Sequence, residues 1–154
     1  MRRLLLIALL VLVLDQGSKL FVRLVMAEDL PIEVTGFFNL VLVYNQGVSF
    51  SLLWFDGPAG PYLLALLALA IVGALLWWVR RDPRPFNAVT AGLIVGGAVG
   101  NVIDRLYLGA VVDFLDFHAF GWHWPAFNVA DSGIVVGALA LVADGLFRRR
   151  PDGK

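Results

Sequence analysis

The sequence predicts an all-α integral membrane protein of four transmembrane helices carrying a small extracytoplasmic β-element, and three observations lead there. Of 154 residues, 60% are hydrophobic and only 16% charged, and mean hydropathy is +0.82, far more apolar than a soluble domain of this length. Four segments, about 4–24, 61–79, 86–104 and 128–147, each supply the run of roughly 20 mainly apolar residues that crosses about 30 Å of hydrocarbon. Nine of the twelve Lys and Arg residues (Arg2, Arg3, Arg80, Arg81, Arg84, Arg148, Arg149, Arg150 and Lys154) lie at one end of these spans. By the positive-inside rule that end is cytoplasmic, so both termini are expected inside and the segments 25–60 and 105–127 outside.

The first span begins with Arg2, Arg3 and the run LLLIALLVLVL, the pattern of a signal peptide. No small-x-small cleavage site follows, however, and apolar character resumes after DQGSK, so it reads as an uncleaved helix. In the first outer segment FFNLVLVYN (37–45) is too short to span, is rich in Phe and Val, and runs into the turn-prone NQG; it predicts a strand. YLGAVVDFLDF (107–117) predicts a second, with Val111, Asp113 and Leu115 on one face and Val112, Phe114 and Asp116 on the other. Trp54, Trp122 and Trp124 are expected at interfacial depth. On the third span Gly92, Gly96 and Gly100 recur every fourth residue, as do Gly133 and Gly137 on the fourth, a spacing that lets helix backbones approach closely in lipid. The whole chain, 1–154, is expected to form a single membrane domain.

Formal net charge is +0, which gives no argument for a nucleic-acid or acidic partner, and cysteine is absent, which removes disulfides and thiolate chemistry. What remains is the placement of polar groups, which gather in the outer halves of the spans: Asp15 and Lys19 on the first, Asn101, Asp104 and Arg105 on the third, Asn128 and Asp131 on the fourth. Charges at that depth are costly enough to be paired or functional; counting from residue 4, Asp15 lies about 16 Å along its helix. Asp15 and Lys19, four residues apart, read as a structural ion pair or as substrate contacts. Asn101 and Arg105 share a face and suggest a polar pocket floor, against an Arg105 that merely snorkels. Asp104 points to another side and reads as a surface or capping group. Asp144 reads as structural, four residues before Arg148.

Asp113 and Asp131 have the most chemical potential. A strand folding over the bundle would bring them together, and of two adjacent carboxylates one keeps its proton while the other activates water. Against this, Asp131 in the first turn of a helix is also favoured by the helix dipole alone. His118 and His123 with Asp116 offer a weak metal site without any HExxH-type motif, and Ser132 lacks the context of a nucleophile. An ion or proton carrier needs ionisable groups at several depths, which the inner halves lack.

Five motifs in order, DQGSK (15–19), NQGVSF (45–50), GGAVGNVIDR (96–105), VVDF (111–114) and FNVADSGI (127–134), together resemble the lipoprotein signal peptidase (signal peptidase II) family of bacterial inner membranes. The resemblance implies a hydrolase, an aspartyl endopeptidase that removes the signal peptide from diacylglyceryl-modified prolipoproteins just before the lipidated cysteine. It implies Asp113 and Asp131 as the catalytic pair, Asn45, Asn101, Arg105 and Asn128 as residues that hold substrate and orient the pair, and Asp15 and Lys19 as support. It further implies no metal and no cofactor, a lipidated prolipoprotein and membrane lipids as partners, no nucleic acid, a monomer, and a multi-pass location in the bacterial inner (cytoplasmic) membrane with both termini cytoplasmic and the active site at the outer face. A short outer flap is expected between Phe50 and Pro61.

Overall fold

The computed structural model describes residues 1–26, 30–47 and 59–147. Four helices, α1 (Arg2–Val25), α2 (Gly60–Arg81), α3 (Pro85–Leu108) and α4 (Val129–Phe147), are long and apolar enough to cross a membrane. α3 is the central one: 72% of its apolar window is buried, against 17–22% in the other three. The others turn Leu and Val side chains outward, such as Leu9, Leu10 and Val13 on α1 and Val135, Val136 and Leu139 on α4. Such faces are stable in lipid, where burial against protein is not needed for apolar groups.

The glycine spacing works as expected and sorts by face. A Cβ built on Gly96 would lie 2.5 Å from the Ala8 carbonyl oxygen of α1, and one on Gly92 would lie 2.9 Å from that of Leu4. Gly133 and Gly137 bring α4 against the backbone of α3 at Leu93 and Thr90, and Gly97 faces the Ala130 carbonyl. α3 is thus pressed between α1 and α4 at backbone distance, which only small residues permit. It starts at Pro85, whose missing N–H costs nothing at the first helical position. It stops at Gly109, in the left-handed region with φ 72°. At the Arg-rich end Arg84 donates from Nε to Asp82 and from Nη1 to Asp144, both at 2.8 Å, tying the α2–α3 turn to α4. Asp144 is therefore structural, with Arg84 as a partner; Arg148 lies outside the described residues.

A four-stranded antiparallel sheet, β1 (Ile32–Thr35), β2 (Phe38–Asn45), β3 (Val111–Ala119) and β4 (Trp122–His123), forms at the other end in the order β1-β2-β3-β4. β2 falls on the predicted strand. β3 begins later than expected, because Tyr107 and Leu108 complete the last turn of α3 before Gly109 ends it. Val22 and Met26 at the end of α1 pack with Leu42, Val112 and Phe114, which seats the sheet on the bundle. Beyond β4 the chain returns along β3: Phe127 and Leu115 exchange backbone hydrogen bonds at 2.8 and 3.1 Å, and Phe114 N–H also donates to Phe127. This return sets the start of α4 beside the middle of β3. Trp122 and Trp124 are exposed, whereas Trp54 and most of the expected flap lie outside the described residues.

Candidate active site

The N-terminus of α4 explains why two aspartates meet. Asn128 caps the helix: its Oδ1 accepts from the Asp131 N–H at 2.8 Å, while Asp131 Oδ2 accepts from the Asn128 N–H at 3.3 Å. This reciprocal capping box satisfies two of the donors every helix leaves unpaired at its start. The side-chain amide of Asn128 has a second task, for its Nδ2 donates to Asp113 Oδ1 at 2.7 Å and to the Val112 carbonyl at 3.2 Å. One fully buried residue therefore contacts both carboxylates, and the capping role of Asp131 leaves it beside Asp113.

Each aspartate has a further amide donor. Asn45 Nδ2 donates to Asp113 Oδ2 at 2.9 Å, and Asn101 Nδ2 donates to Asp131 Oδ1 at 2.8 Å. Asp113 is 2% exposed. Burial pushes its carboxyl up to about 7, aided by the negative charge of Asp131 and opposed by the amides of Asn45 and Asn128 and by Lys19. The cause is desolvation of the charged form. Asp113 is therefore far more easily protonated than an ordinary carboxyl group.

Under the pair lies a charge cluster. Lys19 Nζ is 2.8 Å from both Asp15 Oδ2 and Asp104 Oδ2 and donates to Asn101 Oδ1 at 3.0 Å. All three ammonium protons have an acceptor. Asp15 is fully buried; its Oδ1 accepts from the Ala130 N–H at 2.9 Å, so an α1 carboxylate helps cap α4. The ion-pair reading of Asp15 and Lys19 is the one the geometry supports. Gly100 makes the arrangement possible, since a Cβ there would lie 2.5 Å from Asp15 Oδ2.

One sequence expectation changes. Asp104 is no surface or capping group: it is 4% exposed and bonded to Lys19, to Gln16 Nε2 at 3.0 Å and to the Val112 N–H at 3.2 Å. The signal was present, because Gly92, Gly96, Gly100 and Asp104 continue one four-residue spacing on the face that meets α1. Gln16 was missed altogether; besides Asp104 it reaches Asp15 and the Gly100 carbonyl. Arg105 does not simply snorkel: Nη2 donates to the Gly47 carbonyl at 3.0 Å and Nη1 to that of Asn101 at 3.3 Å. Its Nε is buried and meets no acceptor among the described residues.

The histidines serve the sheet. His123 Nδ1 lies 2.9 Å from Asp116 Oδ2, His118 Nε2 lies 3.3 Å from Asn39 Oδ1, and Asn39 Nδ2 donates to Asp116 at 3.0 Å. Among the described residues no group of three or more His, Asp or Glu side chains is arranged to hold a metal ion. Ser132 Oγ donates to the Asn128 carbonyl, closing the first turn of α4.

Residues 7–147 match the family model described as signal peptidase (SPase) II. The chain is 49% identical over 142 residues to a lipoprotein signal peptidase of Aeromonas hydrophila, covering 90% of this chain and 85% of that one. It is 51% identical over 147 residues to one of Paraburkholderia phytofirmans, covering 94% and 84%. A solved bacterial membrane enzyme, determined by the in meso method at 2.3 Å resolution, superposes with a TM-score of 0.82 at 30% identity, over 98% of this chain and 94% of that one.

Proposed function

The chain belongs to the signal peptidase II family, a membrane protease that removes the signal peptides of lipoproteins, and from that premise we propose that Asp113 and Asp131 form its catalytic pair. The observation that carries this is the double engagement of Asn128, which donates from Nδ2 to Asp113 at 2.7 Å and from its backbone N–H to Asp131 at 3.3 Å. In this reading the two carboxyl groups carry one proton between them. The ionised member takes a proton from water as it attacks the scissile carbonyl. The protonated member donates its proton to the carbonyl oxygen; as the C–N bond breaks, the proton taken from water passes to the leaving amine and the proton on the carbonyl oxygen returns to its donor. Loss of activity in Asp113→Asn and Asp131→Asn is the direct test.

The substrate in this reading is a prolipoprotein already carrying a diacylglyceryl group, cut just before its lipidated cysteine. The pair stands at the sheet end of the bundle, so an amide bond at the membrane surface reaches it while the acyl chains stay in lipid. Both aspartates come from one chain, so the pair is complete without a partner subunit, in keeping with a monomer that forms one membrane domain. By the positive-inside rule the basic residues flanking the spans, with Arg2, Arg3, Arg80, Arg81 and Arg84 at the end opposite the sheet, support a cytoplasmic location for that end and an outer-face site. Single cysteines at Glu33 and His118 are expected to react with an impermeant thiol reagent in intact cells, and one at Arg81 is not. Labelling at Arg81 reverses the orientation.

Arg105 holds substrate through its Nε, which meets no acceptor among the described residues, and steadies the turn at Gly47, whose N–H donates to Asn45 Oδ1 at 3.0 Å. Arg105→Ala is expected to lower cleavage by about 10- to 100-fold with insertion intact, as a charge-assisted contact contributes roughly 1.5–3 kcal/mol. Lysine restores only part, since it lacks the planar fork. Native turnover in the alanine variant, measured on a lipidated peptide, removes Arg105 from the site.

A further inference from the structure

We propose that Asp104 is a positioning residue for both aspartates of the pair, acting on Asp113 through the backbone of Val112 and on Asp131 through Lys19 and Asn101. The inference rests on reading Asp113 and Asp131 as the catalytic pair.

The first arm runs through the strand. Asp104 Oδ2 accepts the Val112 N–H at 3.2 Å, and the carbonyl of the same residue accepts Asn128 Nδ2 at 3.2 Å. Val112 is thus held at both backbone polar atoms and is itself fully buried. Those two bonds, together with the β2–β3 ladder that sets Asp113 opposite Val43, hold the backbone from which Asp113 projects. The second arm runs through the ammonium. Lys19 sits between Asp104 and Asp15 at 2.8 Å from each, and its third proton goes to Asn101 Oδ1 at 3.0 Å. That bond decides which end of the Asn101 amide faces Asp131: with Oδ1 occupied by Lys19, Nδ2 is left to donate to Asp131 Oδ1 at 2.8 Å. A flipped amide would set an oxygen against the carboxylate. Gln16 steadies the hub from α1, donating to the free Oδ1 of Asp104 at 3.0 Å.

Asparagine at 104 keeps the size of the side chain but can turn an NH2 group towards the Lys19 ammonium or the Val112 N–H, donor against donor. It also removes one negative charge near the pair. The other charged side chains facing the pair are Asp15 and Lys19 from α1 and Arg105 from α3, and these stay unchanged.

The test is steady-state kinetics of the purified, detergent-solubilised protein on a diacylglyceryl-modified precursor peptide across pH. For Asp104→Asn, kcat is expected to fall about 10²-fold, the scale of a small misplacement of reacting groups, with KM little changed. The pH limits of activity should move to lower pH, because removing a nearby negative charge makes the pair easier to deprotonate. Native kcat overturns the proposal, as does a loss carried by KM or one that leaves the pH limits in place. If Asp104→Asn fails to insert, Gln16→Leu decides. It removes one donor to Asp104 without changing charge, so a smaller fall in kcat with unmoved pH limits is expected, and native kcat overturns the proposal. Asp113→Asn is assayed in parallel. Cleavage by that variant sinks the reading of the pair itself, whereas its inactivity together with full activity of Asp104→Asn sinks only the role of Asp104.

Discussion

Asp113→Asn and Asp131→Asn are each expected to reduce turnover by about 10⁴-fold or more, and the double variant is expected to be hardly worse than either, because groups that act as one unit are non-additive. Asparagine keeps the shape of the side chain and removes its acid–base function, so both proteins should insert and still bind a lipopeptide. Helix capping should survive in Asp131→Asn, since the amide oxygen can accept the Asn128 N–H that Asp131 accepts at 3.3 Å. The native pH profile follows from the sharing of one proton. Burial raises Asp113 to about 7, so activity that needs a protonated partner is lost as pH rises through about 7. The acid limb marks the pH below which both groups are protonated and none can activate water. Both limbs report apparent constants of the pair. Substantial turnover by either single variant would contradict the account.

Lys19→Met is expected to cause the largest loss of stability. The ammonium is 3% exposed and stands between two carboxylates, both 2.8 Å away. Removing it leaves two buried negative charges without a counter-charge, and breaking such a pair costs about 3–5 kcal/mol. For a chain of this size that lowers the unfolding midpoint on the order of 10 °C, readable by thermal unfolding in detergent. Adding Asp104→Asn to Lys19→Met should recover part of the loss, because it removes one of the uncompensated charges. A Lys19→Met protein as stable as the native one would mean that the cluster is hydrated or neutral and gives the site no support.

What the sequence makes legible follows the range over which each signal acts. Spans, glycine spacing and the Asp15–Lys19 pair depend on residues within a few positions of one another, and each stands where its spacing puts it. β1 and β4 were not legible. Ile32–Thr35 is a four-residue exposed strand, and Trp122–His123 is two residues long. Both exist because a neighbouring strand offers a hydrogen-bonding edge, which no local pattern records. Asp104 shows the same divide: the four-residue spacing with Gly100 marks its face, but its meaning depends on Lys19 from α1 and Val112 from β3. The bond from Asn39 to Asp116, buried across β2 and β3, depends on the register of the two strands, which no local pattern records. The pairing of Asp113 with Asp131 is open in the residues alone, where a strand folding over the bundle joins them against a capping role for Asp131, and the motif resemblance favours it. Its physical basis, the return of Phe127 along Leu115 that sets Asn128 beside Asp113, belongs to the fold.

The central claim, that two aspartates activate water on the bond preceding the lipidated cysteine, is tested most directly by mass spectrometry of a single turnover in 18O-labelled water with a metal chelator present. The account predicts a released signal peptide ending at the residue before the cysteine, with one 18O in its new carboxylate, no adduct on the protein, and no product from Asp131→Asn. A signal-peptide acyl group retained on the protein, a cut elsewhere, or activity lost to the chelator and regained with zinc would contradict it.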